Sequence, residues 1–173
     1  FAKKLSDNYK RPIFALKCDI YRFFDSVDQE ILLKLIKKSI QDADTLWLIE
    51  NIIDSFKTQE SNGLPLGNVT SQLFANIYLN ELDQFVKHRL KLKYYLRYCD
   101  DFIILEENKE YLISIIQELA KFLKHKLNLE LHGRKIITRK YNQGIDFLGY
   151  VSKPYYRVLR TKTKRRMLKR VNK

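Results

Sequence analysis

The sequence predicts an α+β fold in which an antiparallel sheet is backed by helices. Three observations carry this. Short runs rich in aromatic and β-branched residues, at 13–20, 93–97, 102–105 and 145–151, read as strands. Two of them, 93–97 and 102–105, are separated only by Tyr98-Cys99-Asp100-Asp101, which puts them in a hairpin and so makes them antiparallel. Between strands lie stretches of helical period. The clearest is 109–127, where Leu112, Ile115, Ile116, Leu119, Phe122 and Leu123 share a face and the acids and lysines lie on a solvated one.

Taken in order, residues 1–12 are polar and basic without a clear period. The run 13–20 is apolar enough for a buried strand. Phe23-Phe24-Asp25-Ser26-Val27 leads into a helix capped at Asp25, Ser26 or Asp28. Within 29–41, Leu32, Leu35, Ile36 and Ile40 face inward while Lys34, Lys37 and Lys38 do not. A second helix is expected over 44–56, with Leu46, Ile49, Ile53 and Phe56 inward. Trp47 is assigned to the core rather than to a base-stacking platform. Gly63, Pro65 and Gly67 punctuate a loop at 61–68. Thr70 or Ser71 then opens a long helix to about Leu90, striped by Phe74, Ile77, Tyr78, Leu82 and Phe85. Gly67 and Asn68 precede its N-terminus, where backbone amides can meet an anion. Further strands are expected at 129–131 and 135–138, and 158–160 is expected to pair with 145–151 through the Pro154 turn. Residues 161–172 read as the start of a basic helix without a downstream partner.

A chain of 173 residues that is 45% hydrophobic is one domain, or part of one, with a real core. It opens on Phe1 rather than Met, which predicts a fragment. No apolar run has membrane-spanning length and no signal peptide is visible, so no membrane partner is expected. Cys18 and Cys99 form no metal-spaced pair and predict a reducing, cytoplasmic compartment. His88, His125 and His132 have no spacing that suggests a metal or a triad. The net charge is +13, and its distribution matters more than its size. Residues 152–173 hold 10 basic side chains and no acid, leaving 23 basic against 20 acidic elsewhere. That concentrated polycation favours a phosphate backbone or an anionic surface over a merely solvated tail.

Asp100 and Asp101 sit at the hairpin tip, and Asp19 ends the strand 13–20. Plain turn chemistry is one reading of the pair. The other is an acidic cluster filled by cations, for which oxygen-only ligands suit Mg²⁺. Charge and spacing alone leave the two open.

Three segments, in order, resemble one family. Lys17-Cys18-Asp19-Ile20-Tyr21-Arg22-Phe23-Phe24-Asp25-Ser26-Val27 looks like the first catalytic motif of reverse transcriptases. Residues 63–72 are similar to their substrate-binding motif, and Tyr98-Cys99-Asp100-Asp101 matches their paired-aspartate motif. Phe147-Leu148-Gly149-Tyr150 resembles the primer-grip hairpin. The likeness covers nearly all of 17–150. It implies a polymerase palm over 1–151 and a basic palm-to-thumb segment over 152–173, with the fingers largely missing and the thumb only begun. The fragment alone is therefore expected to lack parts that an active polymerase uses.

For the chemistry, the resemblance implies two Mg²⁺ ions, with Mn²⁺ as an alternative, on Asp19 and Asp100. Asp101 would be a nearby third acid and the Ile20 carbonyl a further ligand. One ion would activate a primer 3′-hydroxyl and the other would stabilise leaving pyrophosphate. Phe24 falls where the family places a steric gate against ribose. Leu66, Gly67, Ser71 and Gln72 would meet the incoming dNTP. Tyr98, Leu148, Gly149 and Tyr150, with the basic Arg165, Arg166, Lys169 and Arg170, would meet template RNA and DNA primer. Lys135 is a candidate proton donor to pyrophosphate, although a plain surface lysine is the simpler reading.

Group II intron enzymes usually carry Pro-Gln-Gly in the second motif and a Ser-Pro after it. Here Pro65-Leu66-Gly67 is followed by Ser71-Gln72, which looks like the reverse transcriptases of diversity-generating retroelements. That likeness implies errors at template adenines and an accessory protein. Leu66 cannot replace the hydrogen bond of the commoner Gln, so nucleotide selection should relax. Competing readings are a retron, group II intron or CRISPR-associated enzyme, a non-catalytic RNA-binding domain on a palm fold, and a nucleotide cyclase. The last predicts neither Phe24 nor the basic tail.

Overall fold

A computed structural model describes residues 1–55, 62–65 and 67–171. Leu66 and Phe56 lie outside the described residues. A short helix α1 (Ala2–Leu5) precedes β1 (Phe14–Asp19). Then come α2 (Phe23–Ser26), α3 (Gln29–Lys37), α4 (Ala43–Asp54) and α5 (Val69–Gln84). The hairpin β2 (Tyr95–Tyr98) and β3 (Asp101–Glu106) is followed by α6 (Lys109–Leu127) and β4 (Ile137–Lys140). β5 (Ile145–Phe147), β6 (Tyr150–Ser152), β7 (Arg157–Leu159) and α7 (Thr161–Val171) complete the chain.

The main sheet is antiparallel with strand order β2-β3-β1-β4. Its two central strands are largely apolar, with Lys17 of β1 the exception inside them, because most of both faces is covered. Leu16, Cys18, Phe102 and Ile104 face a core shared with Phe74, Tyr78 and Leu82 of α5 and Leu112, Ile115 and Leu119 of α6. Ala15, Ile103 and Leu105 point the other way, onto Ala2, Ile13 and Ile145. The polar, aperiodic N-terminal segment thus supplies a small helix that covers part of the second face. Tyr78 locks the helical layer: its hydroxyl donates to the Leu127 carbonyl at 2.6 Å and accepts from the Asp28 amide at 3.3 Å.

Helix ends follow local chemistry. Asp28, Asp42 and Asn108 each accept from the backbone N–H three residues on, capping α3, α4 and α6. Asn128 closes α6 in the left-handed region at φ 49.

Several expectations need correction. The long helix starts at Val69 and passes at Phe85 into a π-helical turn that ends at Arg89. Residues 129–131 make one isolated bridge, Ile20 to Leu131, because the chain there only wraps the end of β1. The following strand starts at Ile137, after a 3₁₀ turn at Gly133–Lys135. The run 145–151 is a hairpin rather than one strand: Leu148 and Gly149 take φ 52 and 83 and reverse the chain. Trp47 is 67% exposed, not core. α4 buries only Ile53 fully, and Trp47 lies off that face.

Candidate active site

The β1–β3 register sets Asp19 directly opposite Asp101. Asp100 is the second residue of the two-residue turn before β3, so three carboxylates share one sheet edge. The turn begins at Cys99, a non-glycine residue at φ 50, a conformation that costs on the order of 1–3 kcal/mol and collects at functional sites.

Its backbone is held from α5. Arg97 of β2 forms a bidentate pair with Asp83, Nε to Oδ1 at 2.8 Å and Nη2 to Oδ2 at 2.6 Å. The same guanidinium donates to the Cys99 carbonyl at 3.1 Å and to Asn76 Oδ1 at 3.3 Å. Tyr95 donates to Asp83 at 2.7 Å. Sequence reasoning missed this network. The signal for it was a guanidinium inside an otherwise apolar strand.

Asp19 is only 6% exposed. Lys135 Nζ donates to both of its oxygens, at 2.9 and 2.8 Å. This pairing follows from the chain wrapping β1: the His132 amide donates to the Asp19 carbonyl at 2.8 Å, and the Lys135 amide to the His132 carbonyl. Lys135 is exposed, as a surface lysine is, and its ammonium is paired with Asp19. That hydrogen bond raises its pKa. Lys17 Nζ lies 3.5 Å from Asp101 Oδ1.

Burial raises the Asp100 carboxyl above the usual range, and the neighbouring Asp19 and Asp101 push the same way. Burial raises Asp101 too, with Lys17 opposing it. Cys18 is pushed up to about 12 by burial and then by Asp19, so it stays an inert thiol. Cys99 is raised as well, and both cysteines are free.

Among the described residues no three carboxylate, imidazole or thiol groups converge closely enough to hold a metal ion. The Lys135 ammonium stands against Asp19 in a cation's place. Chemically the donors fit a hard cation. They are oxygens only, and two of the acids are held protonated more readily than usual by burial and mutual repulsion, which a divalent cation would relieve.

The first and second motifs are sewn together. The Leu64 amide donates to the Phe24 carbonyl and the Gly63 amide to the Val27 carbonyl, each at 2.7 Å. Gln29 Nε2 donates to the Gly63 carbonyl at 3.0 Å. A Cβ at Gly63 would meet that Phe24 carbonyl at 3.3 Å, at φ 100, so glycine is required there. Phe24 is half-buried, its ring 5.3 Å from that of Phe23. Gly67 and Gln72 are exposed, whereas Ser71 is buried and its hydroxyl has no partner among the described residues.

Tyr98 is exposed at the hairpin. Leu148 and Tyr150 line an apolar cavity of about 420 Å³ between the two sheets, and Gly149 accepts from the Arg160 amide at 2.9 Å. Ile20 is buried beside Asp19. Arg165, Arg166, Lys169 and Arg170 are exposed on α7, of which no residue is buried. His88 and His125 are exposed, and His132 packs edge-on against Tyr21 at 5.4 Å.

A family model for reverse transcriptase (RNA-dependent DNA polymerase) matches residues 3–152. The chain belongs to the reverse transcriptase family. The group II intron-encoded protein LtrA of Lactococcus lactis subsp. cremoris is 28% identical over 200 residues, covering 76% of this reverse transcriptase chain and 33% of LtrA. Protein YkfC of Escherichia coli (strain K12) is 26% identical over 176 residues, covering 79% and 46%. The chain thus spans less than half the length of these relatives. Apo telomerase from Candida tropicalis, truncated from its C-terminal domain, superposes with a TM-score of 0.68 at 16% identity over 92% of this chain and 38% of that one. Telomerase from Candida albicans, in complex with a TWJ fragment of telomeric RNA, gives 0.64 at 15%, over 92% and 33%. At such identities the likeness is one of fold. Among the described residues no helix is long and apolar enough to cross a membrane.

Proposed function

We propose that residues 1–151 are the palm of an RNA-directed DNA polymerase that extends a primer 3′-hydroxyl with dNTPs on an RNA template. Residues 152–173 then lead basic surface towards the thumb. The observation that carries this is Asp19 on β1 facing Asp101 on β3, with Asp100 beside it at the hairpin tip. Asp19 and Asp100 would hold two Mg²⁺, which supply the positive charge that activates the attacking hydroxyl and stabilises the leaving pyrophosphate.

The chain's own groups do the rest. Lys135 leaves Asp19 for the pyrophosphate oxygens and brings a proton on Nζ. Arg97 holds the Cys99 carbonyl, and with it the hairpin that presents Asp100. Phe24 offers a bulky ring against a 2′-hydroxyl. Leu148, Gly149 and Tyr150 form the hairpin placed for the primer. Primer extension by the intact protein on an RNA template with Mg²⁺ tests the reading, and an Asp19→Asn protein that extends at the wild-type rate rules it out.

Gly67 followed by Ser71-Gln72, with Leu66 before it, favours the diversity-generating retroelement type, error-prone at adenines and working with an accessory protein. Similarity to LtrA favours a second reading, a group II intron type enzyme. Sequencing cDNA separates them: errors concentrated opposite template adenine support the first, and a low, even error rate supports the second.

A further inference from the structure

The end of the main sheet away from the carboxylates carries a second concentration of charge and aromatic surface. β1 begins at Phe14, paired with Lys140 of β4, and ends at Asp19. At about 3.3 Å per residue the two ends stand roughly 17 Å apart. At the Phe14 end Tyr9 stacks on Tyr141 with ring centroids 6.1 Å apart and planes at 6°. Tyr155 meets Tyr9 edge-on at 4.9 Å.

This stack divides two adjoining clefts. Lys10, Arg11 and Lys140 line one, and Lys3, Lys153 and Arg157 line the other, with Tyr155 and Tyr156. No acid lines either cleft. Among the described residues none of these six cations is paired with a carboxylate. Carboxylates at this end include Asp7, on the adjoining surface, and Glu106, across Phe14 from Lys140, with Glu107 next to it. Tyr155 is 82% and Tyr156 56% exposed.

The arrangement is built into the backbone. Asp7, Asn8 and Tyr9 take φ of 48, 58 and 67 in succession, and Tyr155 takes 69. The left-handed turn is pinned by the buried Ser6, whose hydroxyl accepts from the Tyr9 amide at 2.9 Å and donates to the Ala2 carbonyl at 2.7 Å. Non-glycine residues held in that region are strained, and such strain collects at functional surfaces.

Lys153 lies over the Tyr156 ring at 5.9 Å and Arg157 over the Tyr150 ring at 5.7 Å. Exposed rings beside cations that no carboxylate neutralises are the composition of a single-strand platform: cations follow phosphates and rings take bases. We propose that this end of the palm is a second nucleic-acid site, distinct from the carboxylate edge. Single-stranded RNA or DNA lies across the two clefts, with its phosphates on the six cations and its bases on Tyr155 and Tyr156. Such a site holds an unpaired strand on the protein while the sheet edge roughly 17 Å away stays open.

The test is a binding titration of the intact protein, in EDTA, with a fluorescein-labelled unstructured RNA oligonucleotide and the DNA of the same sequence. Tyr155→Ala with Tyr156→Ala should weaken binding at least about fivefold, the low end of what one stacked base contributes. Tyr155→Phe with Tyr156→Phe should restore it, which shows that the rings act by stacking and the protein is folded. Lys10→Gln with Arg11→Gln and Lys140→Gln should flatten the slope of log affinity on log salt by about 0.7 for each single-strand phosphate that is no longer neutralised. Weaker binding of RNA, of DNA or of both supports the site and identifies the strand. Both multiple variants binding with wild-type affinity and slope overturns it, and leaves the surface to an anionic protein segment. Primer extension measured on the same preparations keeps the two readings apart: tyrosine-dependent binding without any extension refutes the polymerase reading alone.

Discussion

At the residue scale the site is a balance of charge that the bare protein only partly resolves. Asp100 and Asp101 are easier to protonate folded than unfolded, so their ionisation opposes folding. The stability they contribute is present below the ordinary value of 3.8 and is lost as pH rises through their raised values. Asp100→Asn should therefore raise Tm at neutral pH without Mg²⁺, by about 2–4 °C for each kcal/mol relieved. The same variant should lower primer extension by at least about 10²–10³-fold. Mg²⁺ should raise the wild-type Tm and leave the variant nearly unmoved, because a ligand stabilises only a state that binds it. An Asp100→Asn protein with wild-type Tm and an unchanged Mg²⁺ response would remove Asp100 from the metal site. On the proposed reading Lys135 would compete with a metal ion for Asp19, so Lys135→Ala should lower the Mg²⁺ concentration that half-saturates the Tm shift while slowing extension. A higher half-saturating concentration would make Lys135 a support for the metal instead of a stand-in. The pairing of Lys135 with Asp19 was not legible in the sequence, since 116 positions separate the two partners. Leu66 belongs to this scale as well. Leu66→Gln adds one hydrogen bond, about 0.5–1.5 kcal/mol net, so misincorporation opposite template adenine should fall several-fold at most. Equal adenine error rates in sequenced cDNA would exonerate Leu66.

At the element scale the sequence is most legible where a periodic run has its own stop signals. Lys109–Leu127 is legible to its ends because the apolar stripe is long, and Asn108 and Asn128 supply caps. The run 145–151 is not legible by pattern, because an apolar Leu at the turn hides a reversal that only Gly149 signals; the resemblance of 147–150 to a hairpin motif is what pointed to it. Trp47 is misplaced for a related reason: α4 presents a narrow buried face, and period alone does not say how wide that face is. The hairpin that carries Asp100 is legible as a hairpin, yet what holds it is not. Arg97 is held from α5, and its side chain is only 9% exposed in the pair with Asp83. Asp83→Asn leaves that guanidinium short of its charged partner beside the Cys99 carbonyl. Hydrogen bonds to charged groups contribute about 1.5–3 kcal/mol, so the urea midpoint should fall accordingly. Extension should slow through kcat with little change in the KM for dNTP, since the turn moves and the nucleotide pocket does not. A KM effect without a kcat effect would place Asp83 in substrate binding rather than in holding the hairpin.

At the scale of the whole molecule, topology makes the site and charge distribution sets its surroundings. The order β2-β3-β1-β4 places the first strand between the mid-chain hairpin and β4, so Asp19 and Asp101, far apart in sequence, meet on neighbouring strands. The family resemblance implies such a meeting, while register and strand order are tertiary facts that no local pattern encodes. The charge is legible in position but not in reach. α7 projects its cations with no residue of the helix buried, and it is tied to the rest of the chain where the Arg160 amide meets the Gly149 carbonyl. A polycation anchored beside the 148–149 turn is placed to follow the backbone of whatever strand that hairpin holds. Its contribution to affinity should then be Coulombic and indifferent to sequence. Neutralising Arg165, Arg166, Lys169 and Arg170 to Gln should weaken binding of a primer–template duplex about equally for unrelated sequences. It should flatten the slope of log affinity on log salt by about 0.7–0.9 for each phosphate that these side chains cease to neutralise. The variant should keep the wild-type Tm, because these side chains are exposed and, among the described residues, none pairs with a carboxylate. An unchanged slope would make α7 a solvated face, and unequal weakening between sequences would mean that it reads bases rather than phosphates.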